Sequence, residues 1–502
     1  MPITIRIALR NLLEHKAKSI IVGSLLALGI LILIMGNAFL EASNIGIRRS
    51  FTENYTGDII ISGRANGPVS IFGVQSMGGN EATPIIPDYE RVLAKVQAHD
   101  GIQAWTAMTS GMGVYMQDAD KASLLDGAEA DDGDGPGSLF AFFFGIDASN
   151  YWQLFRQLEM VDGTFLQPGQ PGIMISSDNR QAIERLRRES IQIGDEILIQ
   201  GFSSSGMRLR SLPLIGVFKP LADSVAPKEI AYMDINNVRV INHMTVGANE
   251  GYQLSGNETA MLELTDFDSL FSNDSFAVEE TMGSVQAFDV DSVLGDTSRR
   301  ESLNLADTGA WHSLLLRVVD PLQTSLIIAE LNQWFAAEGL AVTAGGWKVA
   351  AGPYAASVDT LRVTFIILVI ILAVVVIIII MNTLIVSIIE RSGEIGTMRA
   401  IGGSKQFIRR LFMAETSVLS VFFGLIGIGL ALLINGLLWL LRIPASNEIL
   451  SVVFGGGYLR PIITAGSIIG SLILIVVVGL AAHLYPVTVA LRIQPVRAMQ
   501  SE

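Results

Sequence analysis

Four runs free of Asp, Glu, Lys and Arg stand out along the chain: Ile20–Leu40, Val363–Ile389, Thr416–Leu441 and Ile462–Leu484. A helix needs about 20 apolar residues to cross a hydrocarbon core, and each run reaches that length. The pattern predicts transmembrane helices over residues 20–40, 361–389, 416–441 and 462–485. The second run, 27 residues, spans about 40 Å at ~1.5 Å per residue, more than a ~30 Å core. It is expected to tilt or to stand above the membrane as a stalk. In residues 1–19, Ile5, Ala8, Leu9, Leu12 and Leu13 alternate with Arg6, Arg10 and Lys16, which predicts an amphipathic helix lying on the membrane surface. A cleaved signal peptide is the competing reading. It is disfavoured because the apolar run is too long and no clean small-residue cleavage site follows.

Between the first two spans the pattern changes. Residues 41–360 alternate at short range, with turn residues between the runs. Strands are expected at Asp58–Ser62, Met112–Met116, Ala141–Asp147 and Glu229–Met233, and within HSLLLRVVD and LAVTAGGW. Helices are expected at Asp88–Ala98, from near Asp234, and at Pro321–Glu338. A β-α-β unit on each side of a β-rich middle predicts an α+β base interrupted by a β insertion. Asp126–Gly137 reads as a solvated acidic loop, since its Asp spacing lacks the final Glu of a calcium loop. Ser255–Asp307 reads as strands with long loops.

Charge sets the orientation. The segments 1–19, 390–415 and 486–502 carry eleven Lys and Arg against five acids, whereas the loop 442–461 has Arg442 and Arg460 at its ends. Basic residues mark the cytoplasmic side, so both termini and residues 390–415 are expected inside and residues 41–360 outside. That outer segment holds 20 basic and 42 acidic residues, within a chain of net charge −14. This argues against nucleic-acid binding. The chain has no cysteine, so disulfides, thiolate metal sites and a Cys nucleophile are excluded. The fold class is thus an α-helical membrane protein with four transmembrane helices and a large α+β domain inserted between helices 1 and 2.

The candidate functional stretch is ERSGEIGTMRAIGGSK, Glu390–Lys405, held between the second and third spans. Ile395, Met398 and Ile401 fall at i, i+3 and i+6, with Glu394 and Arg399 off that stripe. Gly393 and Gly402-Gly403 bracket a helix of one to two turns. Such a helix suits docking into a groove of another protein; an ordinary cytoplasmic turn with basic bias is the other reading. Ser404 is placed to cap a following helix. Asn382 is expected to face another helix, and Gly424, Gly427 and Gly429 to permit close packing. Glu415 is expected at the membrane interface, and Pro486 to end or kink the fourth span. No catalytic motif is found. His99, His243 and His312 are far apart and read as packing or surface residues. GGSK is not a phosphate loop, so no cofactor, metal or catalytic site is expected on this chain.

The stretch NTLIVSIIERSGEIGTMRAIGGSKQFIRRLFMAE resembles the hallmark of the FtsX-like/MacB-like permease family of ABC transporters. IALRNLLEHKAKSII resembles the family's opening, and YPVTVALRIQPVRAM its ending, with Met499 where Leu is usual. DGTFLQPGQPGIMIS, IGDEILIQ and LPLIGVFKP resemble its periplasmic core domain. The resemblance implies a bacterial inner-membrane permease paired with a second permease chain, homo- or heteromeric, beneath a cytoplasmic ATPase dimer that binds ATP and Mg. It implies coupling to that ATPase through Glu390, Arg391, Glu394, Ile395, Gly396, Met398, Arg399, Ala400, Ile401 and Gly402, with Asn382, Gly424 and Gly427 in helix packing. The architecture is similar to lipoprotein-releasing permeases of the LolC/LolE type, which implies lipoproteins and membrane lipids as partners. The alternatives are MacB-like efflux with a periplasmic adaptor and FtsX-like control of cell-wall hydrolases.

Overall fold

The computed structural model describes residues 16–75, 81–116, 140–155, 158–220, 229–245, 305–390, 392–446 and 448–492. Of the amphipathic helix expected in residues 1–19, only 16–19 are described, and they are continuous with the first long helix; the acidic loop Asp126–Gly137 and most of Ser255–Asp307 lie outside the described residues. The chain opens with α1 (Lys16–Phe51), extended by a short π turn, Thr52–Thr56. There follow β1 (Ile59–Gly63), a small hairpin of β2 (Val69–Ser70) and β3 (Gly73–Val74), α2 (Tyr89–Gln97) and the long β4 (Ile102–Tyr115). Next come β5 (Phe140–Ile146), α3 (Ala148–Leu154), β6 (Leu158–Gly163), β7 (Ile173–Ser176), α4 (Ser177–Arg187), β8 (Glu196–Ser203) and β9 (Gly206–Pro220). Then β10 (Ile230–Asp234), α5 (Ile235–Ile241), β11 (Ser313–Val318), α6 (Thr324–Ala337), β12 (Val342–Gly346) and α7 (Trp347–Ala351) complete this region. The C-terminal part is α8 (Pro353–Glu390), α9 (Ser392–Ala400), α10 (Lys405–Leu441), α11 (Glu448–Phe454) and α12 (Ala465–Arg492). Contacts divide the chain into two units: residues 56–219 with 227–350, and the remainder.

In the first unit, local signals start the helices. Asp147, Ser176 and Asp234 cap α3, α4 and α5, each side chain accepting a backbone N–H of the first turn. The base is an antiparallel run β12-β1-β11-β4. One face carries Ile59, Ile61, Leu314 and Leu316 at period two, packed on Val92 and Val96 of α2 and Leu331 and Phe335 of α6. The rest is more than an insertion. The C-terminal half of β4 pairs with β5 on one side and β8 on the other, and β5-β10-β7-β9-β8 complete the circuit. These six strands form a closed barrel with Tyr115, Phe143, Ile175, Ile199, Leu214 and Met233 in its core. Base and barrel therefore share a strand, where the sequence pattern suggested separate pieces.

In the second unit, α1, α8, α10 and α12 are long and apolar enough to cross a membrane. Their helices exceed the apolar runs: α1 has 36 residues, α8 38 and α10 37. The capped helix expected at Lys405–Glu415 is continuous with the third span. Pro486, expected to end or kink the fourth span, does not end it: it lies inside α12, which runs on to Arg492. Helix α11, in the segment 442–461, was not foreseen. α1 and α12 each pack on the other three spans, around Leu26, Ile30, Ile34, Ile475 and Val478. Only 11% of the apolar window of α8 is buried, against 44% for α1, so α8 stands at the rim of the bundle.

Candidate functional site

The link between α8 and α10 is built by local chemistry. α9 ends where Gly402 takes φ +104, a conformation that needs glycine. The Gly403 N–H then donates to Met398 O at 2.9 Å, closing the C-terminus. Ser404 caps α10, its Oγ accepting the Phe407 N–H at 3.1 Å. A small apolar cluster of Ile388 (α8), Ile395 (α9), Ile408 and Phe412 (α10) clamps the three helices together.

This cluster revises the expected stripe. Ile395 is 2% exposed and points into the clamp, while Ile401 is 88% exposed. Met398 is half-buried, and Gly393 and Thr397 are exposed. The outward face therefore runs Gly393, Thr397, Ile401, rotated from the predicted Ile395, Met398, Ile401. Gly396 is buried beside Ile395, and Glu390 is exposed at the end of α8. Arg391 and the side chains of Glu394, Arg399 and Ala400 lie outside the described residues. The sequence period alone could not see the clamp, because its partners Ile388 and Ile408 sit on neighbouring helices.

Behind the hairpin, polar groups line a cavity of about 50 Å³. Thr416 Oγ1 lies 3.1 Å from Phe412 O and 2.6 Å from the His483 ring nitrogens, so the hydroxyl is shared between the helix backbone and the imidazole. Glu415 and Ser387 line the same space. His483 is a lone imidazole in an otherwise apolar run, which is itself a sequence signal of a functional or packing role. Gly479 lets α12 approach α10: a Cβ there would lie 2.6 Å from Ser420 Oγ.

Close helix packing depends on specific glycines. A Cβ on Gly427 would lie 2.6 Å from Ala27 O, and one on Gly424 2.9 Å from Leu472 Cδ1. Gly429 has no neighbour within 4 Å of that position, so the packing expected of it is absent. Asn382, expected to face another helix, is exposed on the surface of this chain. Its neighbour Thr383 bonds back to Ile379 O at 2.9 Å.

In the large unit the histidines are structural. His99 pairs with Glu330 at 3.1 Å, and His312 is buried against Ser110, its pKa lowered to about 4 chiefly by burial. Among the described residues no group of His, Cys, Asp and Glu could hold a metal. Arg239 is a buried charge. It lies 4.4 Å over Trp311 and donates to Ala310 O and Thr308 O, and burial lowers its pKa to about 10. Those bonds pin the chain just before β11.

Residues 366–495 match the family described as FtsX-like permease C-terminal. A pyoverdine export ATP-binding/permease protein, PvdT, of Pseudomonas fluorescens (strain Pf0-1) is 32% identical over 122 residues, which is 24% of this chain and 16% of that protein. A macrolide export ATP-binding/permease protein, MacB, of Haemophilus ducreyi is 46% identical over 57 residues, 11% of this chain and 8% of that protein. The matched segments thus cover no more than about a sixth of these relatives. The periplasmic region of MacB from Actinobacillus actinomycetemcomitans aligns over 58% of this chain and 90% of its own, at TM-score 0.26 and 10% identity, too weak a likeness to fix the fold. The family match covers the clamp, the hairpin and most of the last three apolar helices together, so this C-terminal part of the chain carries an FtsX-like permease domain similar to that of MacB-type proteins.

Proposed function

We propose that this chain is the permease subunit of an ABC transporter in a bacterial inner membrane. Both termini and α9 face the cytoplasm, and the unit carrying base and barrel faces the periplasm. α9 docks on a cytoplasmic ATPase dimer that holds ATP and Mg, beside a second permease chain. The observation that carries this reading is the α8–α9–α10 hairpin, internally clamped through Ile395 and presenting Ile401 outward. A rigid knob of this kind suits a protein groove better than a flexible turn does. Movement at α9 passes into α8, because Ile388 belongs to the same cluster.

Relatives named for pyoverdine and macrolide export support an export role; a periplasmic adaptor would be the further partner of such a role. Release of lipoproteins, the first expectation from the sequence, becomes the second reading, since the relatives named here are exporters; an amphiphilic space between α1, α8 and α12 is what favours it. The test is co-purification of the full chain with its ATPase and measurement of ATP hydrolysis. Ile401→Asp should leave the chain folded and reduce ATPase association at least tenfold. Unchanged association in that variant would sink the docking role.

A further inference from the structure

We propose that the space between α1, α8 and α12, at the end of the bundle away from the α9 hairpin, holds one zwitterionic phospholipid. The space has a volume of about 580 Å³, within the range of ligand sites. Its lining is graded. Asn37 and Glu41 of α1, Arg362 of α8, and Thr464 and Ser467 beside the start of α12 form a polar rim. Leu33, Phe365, Val369, Ala373 and Leu474 line the deeper part. All three helices order these residues in the same sense: polar at the end away from α9, apolar towards mid-bundle.

The depth matches a leaflet. From Arg362 to Ala373 α8 rises about 16 Å at ~1.5 Å per residue, roughly half of a ~30 Å hydrocarbon core. The rim matches a headgroup. Glu41 and Arg362 face one space, and neither enters an ion pair or hydrogen bond among the described residues. A head bearing both a phosphate and an ammonium satisfies both charges. A purely anionic head would leave Glu41 facing like charge. A helix of a second copy, 10–12 Å across, would bring apolar side chains against the charged rim. The lipid would wedge between α1 and α8, the two spans that flank the large unit in the chain. Occupancy does not depend on the transport reading; assignment to the outer leaflet rests on the orientation proposed above.

The experiment uses the full chain in nanodiscs of mixed phosphatidylethanolamine and phosphatidylglycerol, followed by native mass spectrometry of retained lipid. One phosphatidylethanolamine per chain is expected. Arg362→Glu should lower retention at least tenfold, and the exchange Glu41→Arg with Arg362→Glu should restore it, which a folding defect would not. Ala373→Trp, filling the deep end, should abolish it. No retained lipid, equal retention of phosphatidylglycerol, or retention indifferent to the Arg362 variant would overturn the site. Because the chain lacks cysteine, Ile366→Cys reports on a second copy: a disulfide-linked dimer across this groove in membranes would also overturn it. Labelling of Arg362→Cys by an impermeant maleimide from the cytoplasmic face would refute the orientation and leave the lipid count standing, so the two failures are distinguishable.

Discussion

At the scale of single residues, two isoleucines six positions apart have opposite tasks. Ile395 closes the clamp and Ile401 faces outward. Burial of an Ile side chain contributes about 1.5–3 kcal/mol. Ile395→Asp should therefore loosen the hairpin itself, seen as faster proteolysis at residues 391–404, whereas Ile401→Asp should leave cleavage unchanged. His312 provides a pH signature in the large unit. Its folded pKa of about 4 lies below the unfolded value of 6.5, so the unfolded chain takes up a proton that the folded one refuses. Stability should fall as pH drops from about 6.5 towards 4, by up to about 3 kcal/mol. Denaturant unfolding followed through Trp311 fluorescence should show this slope, and His312→Gln should flatten it; an unchanged slope would assign it to other groups.

At the scale of elements, the spans separate glycines that pack from glycines that do not. Gly427→Ala should force α10 away from α1, costing about 1–3 kcal/mol as overpacking does, whereas Gly429→Ala should be neutral or slightly stabilising. Thermal unfolding in detergent would distinguish them; equal effects would mean that α1 and α10 do not meet at Gly427. The sequence could locate these helices because apolar length is read directly from composition. It could also place the Ser404 cap and the β11, α6 and β12 run, whose patterns are local. It could not orient α9, because the side that is buried depends on Ile388 and Phe412 of other helices. Nor could it tell Gly427 from Gly429, since both satisfy the same small-residue rule and differ only in what lies opposite. The barrel was hidden for a similar reason: its closure is a pairing between β4 and β8, nearly ninety residues apart, with no local mark except the length of β4.

At the scale of the whole chain, the shared strand has a consequence for cooperativity. β4 contributes Ala107 to the base core and Tyr115 to the barrel core. The two cores should melt in one transition. Gly113→Val, whose Cβ would lie 2.8 Å from Phe143 Cε2, should lower that single midpoint rather than split it; two resolved transitions by calorimetry would contradict the coupling. The spans differ from one another in stiffness as well. α1, α10 and α12 each contain glycines along their length, and α12 also contains Pro486. α8 has neither residue after its opening Pro353. Kinks gather at such residues, so α8 is the member of the set without a built-in joint. In mechanical language it is a stiff shaft among jointed rods, which is the build that the proposed coupling from the hairpin would require of it.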